Sequence, residues 1–106
     1  MTDKFATLLG FAQRAGKIVS GESAAQAALK KNKGNLIIIA QDASQRTKSG
    51  YQMLGVRNKV PCIETGTQYQ LGLTIGRSPR SVIVVIDEGF AKTLLEYLNE
   101  ETCRAE

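Results

Sequence analysis

The sequence predicts an α/β sandwich with helices on both faces of a short-stranded sheet, and three observations carry that expectation. Helical and extended patterns alternate along the whole chain. The two most apolar runs, LIIIA from Leu36 and VIVVI from Val82, are rich in β-branched residues and lack polar alternation, which suits strands covered on both sides. A length of 106 residues, with 42% hydrophobic and 23% charged residues, suits one domain that builds its own core. No linker, low-complexity stretch or internal repeat interrupts it, so residues 1–106 read as a single domain.

Taken in order, Phe5, Leu8, Leu9 and Ala12 recur at helical spacing from Asp3 to Ala15, with Thr2 or Asp3 to cap the start and Gly16 to stop the end. A short extended piece, Ile18 and Val19, leads through Ser20 and Gly21 into the alanine-rich SAAQAALKKN. That second helix is expected to be capped, and it ends in Lys30, Lys31 and Lys33, as a helix C-terminus favours. Leu36 to Ala40 is the expected central strand. Asp42 to Ser44 supply caps for a third helix over about Gln45 to Gly55, with Gly50 a weak point in it.

Val60 to Glu64 is a short strand that Pro61 places at a start or an edge. Thr67 and Gln70 match a capping box, opening a short helix whose Tyr69, Leu71, Leu73 and Ile75 offer apolar contacts before Gly76. The loop Arg77-Ser78-Pro79-Arg80 leads to the strand Val82 to Ile86. A last helix carries Phe90, Leu94, Leu95 and Leu98.

The formal charge is +4 and the pI about 9.3, unevenly spread. Residues 1–86 hold 12 Lys and Arg against 4 Asp and Glu, a net of +8, whereas residues 87–106 hold 2 against 6, a net of −4. A basic body attracts polyanions: nucleic acid first, an anionic lipid surface by the same signal, while a merely solvated surface reads alike. There is no histidine, and Cys62 and Cys103 lack metal or redox spacing, so no metal or cofactor is expected. Cys62 reads as a small buried residue and Cys103 as part of a polar tail. The amino terminus is unlike a signal peptide and no apolar run approaches the roughly 20 residues of a membrane span, so a cytoplasmic, non-membrane protein is expected.

Catalytic patterns are missing: no GxSxG, no CxxC, and the carboxylates Asp42, Glu64, Asp87 and Glu88 stand singly. A non-enzyme is expected. With 6% aromatics a broad base-stacking platform is not expected either.

Two segments could grip an anion. GKIVSGES, Gly16 to Ser23, feeds a helix N-terminus with unpaired amides, Gly21 permits close approach to the backbone, and Lys17 adds charge. The spacing is not that of a Walker loop, and an ordinary helix start reads the same way. GRSPRS, Gly76 to Ser81, sets two arginines in a loop stiffened by Pro79, which suits phosphate or a guanine edge as well as a solvated turn. The lysines at 30, 31 and 33 read first as a favourable helix end, and Arg46 and Lys48 would border the site if the Asp42 to Ser44 loop lies beside Gly21.

Taken together and in order, LLGFAQRAGKIVSG (Leu8 to Gly21), LIIIAQDAS (Leu36 to Ser44), LGLTIGRSPRSVIVVID (Leu71 to Asp87) and EGFAK (Glu88 to Lys92) resemble the L7Ae/L30e ribosomal protein family, most closely its short bacterial members of the YlxQ type. The resemblance covers nearly the whole chain. It implies a three-layer α/β/α sandwich around a small mixed sheet, and binding to kink-turns, where an RNA helix bends sharply beside tandem sheared G·A pairs.

It also implies one site made from both segments: the helix start after Gly21 reads guanine edges, and the loop from Arg77 to Ser81 touches extruded nucleotides. The sequence departs from archaeal and eukaryotic members by carrying Glu22, Ser23 and Ala24 after the glycine, and Ala27 where archaeal members often have Lys. One lost bidentate contact predicts discrimination weaker by about 1–3 kcal/mol.

The resulting expectation is a non-catalytic binder of structured RNA, kink-turn-like or ribosomal, with the ribosome rather than DNA or membrane as partner. Lys17, Gly21, Glu22, Ser23 and Gln26 form one lip; Gly76, Arg77, Ser78, Arg80 and Ser81 the other; Arg46 and Lys48 anchor phosphates nearby. The alternative is a protein-interaction module of the same fold. An enzyme holding a nucleotide phosphate at the second helix is the least favoured reading.

Overall fold

The computed structural model describes the backbone of residues 1–105 and the side chains of residues 1–99. Its elements are α1 (Asp3–Arg14), β1 (Ile18–Ser20), α2 (Glu22–Lys30), β2 (Leu36–Ile39), α3 (Gln45–Asn58), β3 (Cys62–Glu64), α4 (Gln68–Thr74), β4 (Val82–Val85) and α5 (Glu88–Ala105). The sheet order is β1-β4-β2-β3. β4 runs antiparallel to both neighbours and β2 parallel to β3, a small mixed sheet.

The two apolar runs, β2 and β4, are the interior strands, and all eight of their residues are fully buried. Burying an Ile, Leu or Val side chain is worth about 1.5–3 kcal/mol, so this pair dominates the core. Helices α2 and α3 cover one face, where Leu29 approaches Val84 across Gly34 and Ile37 meets Gly55. Helices α1, α4 and α5 pack together on the other, with Phe5, Leu9, Leu71 and Leu94 fully buried. This is the expected three-layer α/β/α sandwich.

Local signals account for most element ends. Thr2 caps α1 by accepting from the Phe5 N–H, Ser44 caps α3 by accepting from the Thr47 N–H at 3.1 Å, and Thr67 and Gln70 form the capping box of α4. Four expectations need correction. Helix α3 passes through Gly50 and runs to Asn58, because Tyr51 and Gly55 are anchored in the core and Lys59 closes the end in a left-handed conformation. Helix α2 starts at Gly21 with no side-chain cap. Tyr69 and Leu73 are each 66% exposed, on the flank of α4 away from the core that Leu71 and Ile75 enter. Cys62 is only half-buried, a free thiol; the Cys103 side chain lies outside the described residues.

Candidate functional site

Four connections meet at one end of the sheet, where β1, β2 and β3 end and β4 begins. Backbone hydrogen bonds stitch them together. The Gly21 N–H donates to the Val82 carbonyl at 3.1 Å, Ala40 to Ser81 at 2.9 Å, Gln41 to Gly66 at 2.8 Å and Arg80 to Gln68 at 3.1 Å. The Asp42 carboxylate accepts from the Gln68 N–H at 2.8 Å, fixing the β2–α3 turn to the start of α4.

The first lip is the start of α2. Gly21 adopts φ 88°, ψ 156°, a region open essentially to glycine alone, and this turns the chain abruptly from β1 into the helix. With no side-chain cap, the N–H groups of Glu22, Ser23 and Ala24 have no partner among the described residues, leaving three donors at the positive end of the helix dipole. Glu22 and Ser23 are exposed beside them, as is Ala27.

The second lip, Gly76 to Ser81, folds back on α4. An added Cβ at Gly72 would lie 2.7 Å from the Ser78 carbonyl carbon and 2.9 Å from Pro79 Cα, so only glycine lets the loop sit this close. Arg80 is a clasp rather than a free arm: its Nε donates to Ser20 Oγ at 3.2 Å, and its Nη1 to Ser78 Oγ at 2.6 Å and to the Ser78 and Pro79 carbonyls. It thereby ties the loop to the end of β1, two residues from the start of α2. The Arg77 N–H donates to the Gly72 carbonyl at 2.8 Å, while its exposed side chain has no hydrogen bond or ion pair among the described residues.

Between α2 and α3, beside the first lip, lies a cavity of about 490 Å³ lined by Glu22, Gln26, Arg46, Thr47, Gly50, Tyr51 and Leu54. Arg46 is exposed and unpaired among the described residues. The buried Tyr51 hydroxyl donates to the Glu22 carbonyl at 3.2 Å. Burial raises its pKa above 10.0, a bond with the Gln26 side chain opposes that shift, and the Glu22 charge adds to it.

Of the predicted residues, Gly21, Glu22, Ser23, Gln26, Arg46, Ser78, Arg80 and Ser81 come together at this end, and Gly76 and Arg77 follow the C-terminus of α4 in the loop that Arg80 ties to this end. Lys17 does not. It precedes β1 whereas Gly21 follows it, about 13 Å away along an extended chain. Its carbonyl accepts from Ile86 at the far end of the sheet, in the direction to which Lys31 and Lys33 also extend. Lys48 is near the site but engaged: its ammonium lies 3.1 Å from the Glu64 carboxylate, which also accepts from Gln52. Sequence reasoning missed the Arg80–Ser20 clasp, the Asp42–Gln68 tie and the cavity. Only Gly72, six residues before Ser78, offered a signal for the folded-back loop. Among the described residues no group of His, Cys, Asp and Glu could hold a metal ion, and no helix is long and apolar enough to cross a membrane.

The model of the ribosomal protein L7Ae/L30e/S12e/Gadd45 family matches residues 3–95. The chain is 35% identical over 95 residues to a protein of Enterococcus faecium named RNA-binding protein YlxQ, covering 90% of this chain and 91% of that one. It is also 35% identical over 92 residues to the protein of the same name in Bacillus subtilis (strain 168), covering 87% and 92%. A solved structure of a protein of unknown function from Bacillus halodurans C superposes with a TM-score of 0.88 at 31% identity, over 92% of this chain and 99% of that chain.

Proposed function

The chain belongs to the ribosomal protein L7Ae/L30e/S12e/Gadd45 family, and we propose that it is a non-catalytic, cytoplasmic protein that binds structured RNA, kink-turn-like or ribosomal, in association with the ribosome. The observation that carries this reading is the joining of the two lips. Arg80 clasps the Gly76–Ser81 loop to Ser20 and leaves Arg46, Arg77 and the three amides of α2 free around it. Their chemistry suits phosphate and base edges: the amides and Arg46 hold backbone phosphates, Arg77 reaches from the second lip, and the Glu22 carboxylate accepts from a base amino group. Relatives at 35% identity that carry the name RNA-binding protein support the same choice.

Filter binding of a kink-turn RNA and a matched straight duplex at moderate salt tests it. A preference of tenfold or more for the bent RNA, about 1.4 kcal/mol, is expected. Equal and feeble binding to both overturns it. The exposed Met53 and Val56 on α3 favour, as a second reading, a docking module for a ribosome-associated protein. That reading predicts co-purification that survives ribonuclease.

A further inference from the structure

Gly50 is a glycine that the fold does not require. It sits in the middle of α3 with ordinary helical φ, where glycine weakens a helix relative to alanine, and a Cβ built there meets nothing within 4 Å. Gly72, in contrast, is required by the loop above it. The space left at Gly50 belongs to the cavity of about 490 Å³ between α2 and α3, within the size range of about 300–1,000 Å³ of ligand pockets.

The helices around it are in register. Arg46, Gly50 and Leu54 recur every four residues on α3 and share one face; Glu22, Gln26 and Lys30 do the same on α2. Past Gln26 and Leu54 the cavity continues into a second hollow bordered by Lys30 and Arg57. The result is a groove from the α2 N-terminus to the α3 C-terminus. Arg46 and Arg57 stand at its two ends, roughly 16 Å apart at the helical rise, a span of a few nucleotides.

Resting on the RNA-binding reading above, we propose that this groove takes a single-stranded segment of the RNA as it leaves the folded part, with phosphates on Arg46, Lys30 and Arg57 and bases over Gly50. A gap between two adjacent helices admits one strand and no duplex. Three cations against the single carboxylate of Glu22 fit a polyanion. A protein helix would need apolar anchors at helical spacing, yet the groove's partly exposed apolar lining is Leu54, while the exposed Met53 and Val56 line a neighbouring hollow on α3 that shares only Arg57 with the groove. The Gln26 amide can donate to and accept from a base edge. The groove therefore adds affinity with little sequence preference.

The test is fluorescence anisotropy on a blunt kink-turn RNA and on the same RNA with a short oligouridine tail, added to each strand in turn. The wild-type protein is expected to bind one tailed RNA about tenfold more tightly than the blunt one, 1.4 kcal/mol. Gly50→Leu fills the groove. It should erase that gain, keep the affinity for blunt RNA, and raise Tm by about 2–8 °C through better helix propensity. Gly50→Ala should move both readouts the same way, the gain by less, and serves if the larger side chain fails to fold. Arg57→Gln should lower the salt slope of the tailed complex by about 0.7 and leave that of the blunt complex unchanged, whereas Arg46→Gln, at the junction of groove and lips, should lower both. A gain absent on both strands, or one that persists in Gly50→Leu, overturns the groove while leaving RNA binding intact. Failure of the wild-type protein to bind either RNA overturns the RNA-binding reading itself.

Discussion

Replacing Arg80 by Ala separates a clasp from a contact. The substitution removes one bond between segments 60 residues apart, Nε to Ser20 Oγ, and three within the loop, to Ser78 Oγ and to the Ser78 and Pro79 carbonyls. A net hydrogen bond contributes about 0.5–1.5 kcal/mol. The side chain is half-exposed and most of these bonds face water, so the total should stay near 1–2 kcal/mol, a fall in Tm of about 4–9 °C for a chain of this size. The same loosening should weaken RNA binding. Re-ordering even one loop residue on binding costs about 1–2 kcal/mol, so affinity should drop about 5- to 30-fold.

Arg77→Ala provides the contrast. The Arg77 side chain has no partner to lose among the described residues, so Tm should change by less than the equivalent of about 0.5 kcal/mol. The salt slope of RNA binding should fall by about one. Melting curves and anisotropy titrations across salt read both variants, and a Ser20→Ala/Arg80→Ala double-mutant cycle isolates the long-range bond. Arg80→Lys should not rescue, because one ammonium cannot reproduce the planar fork that reaches both serines. If Arg80→Ala melts like the wild type and lowers the salt slope by a full unit, Arg80 is a phosphate contact and the clasp is wrong.

Gly72→Ala should destabilise the protein by about 1–3 kcal/mol in urea unfolding, because the new methyl pushes on the Ser78–Pro79 backbone; a neutral result would show that the loop yields freely. Lys48→Met should cost at most about 1 kcal/mol, since its bridge to Glu64 is partly exposed, and should leave the RNA salt slope unchanged; a drop of one unit would return Lys48 to the interface. Burial, reinforced by the Glu64 charge, pushes the Cys62 thiol up from 9.0 to about 11. The folded protein keeps a proton that the unfolded chain releases, so this contribution is fully present below pH 9 and is lost as pH rises to 11. In a Cys103→Ser background, iodoacetamide at pH 8.5 should therefore label native Cys62 far more slowly than the urea-unfolded chain. Equal rates would refute the shift.

The parts of this molecule legible in the sequence are those that short-range physics decides. LIIIA and VIVVI could bury both faces only as interior strands, and Thr2, Ser44 and the Thr67–Gln70 box announce helix starts because their partners lie three residues away. The candidate site was half legible. Gly21 and the Arg77–Arg80 loop stood out, but a cation's role depends on what lies across space from it. Lys17 is four residues from Gly21 in sequence and at the opposite end of β1 in the fold. Lys48 meets Glu64 only because α3 packs on β3, and Arg80 meets Ser20 only because β4 pairs with β1. Gly50 looked like a flaw in a helix until the open space above it placed it in a groove.

RNA should bind the end of the sheet where the two lips meet, and backbone amide shifts during titration with a kink-turn RNA read that location residue by residue. The largest changes should fall on Gly21 to Ala24, Arg46 and Gly76 to Ser81, and Lys17, Lys31 and Lys33 should stay nearly still. Shifts concentrated on Lys17, Lys31 and Lys33 would place the RNA at the opposite end of the sheet and rule out the two lips as its binding site.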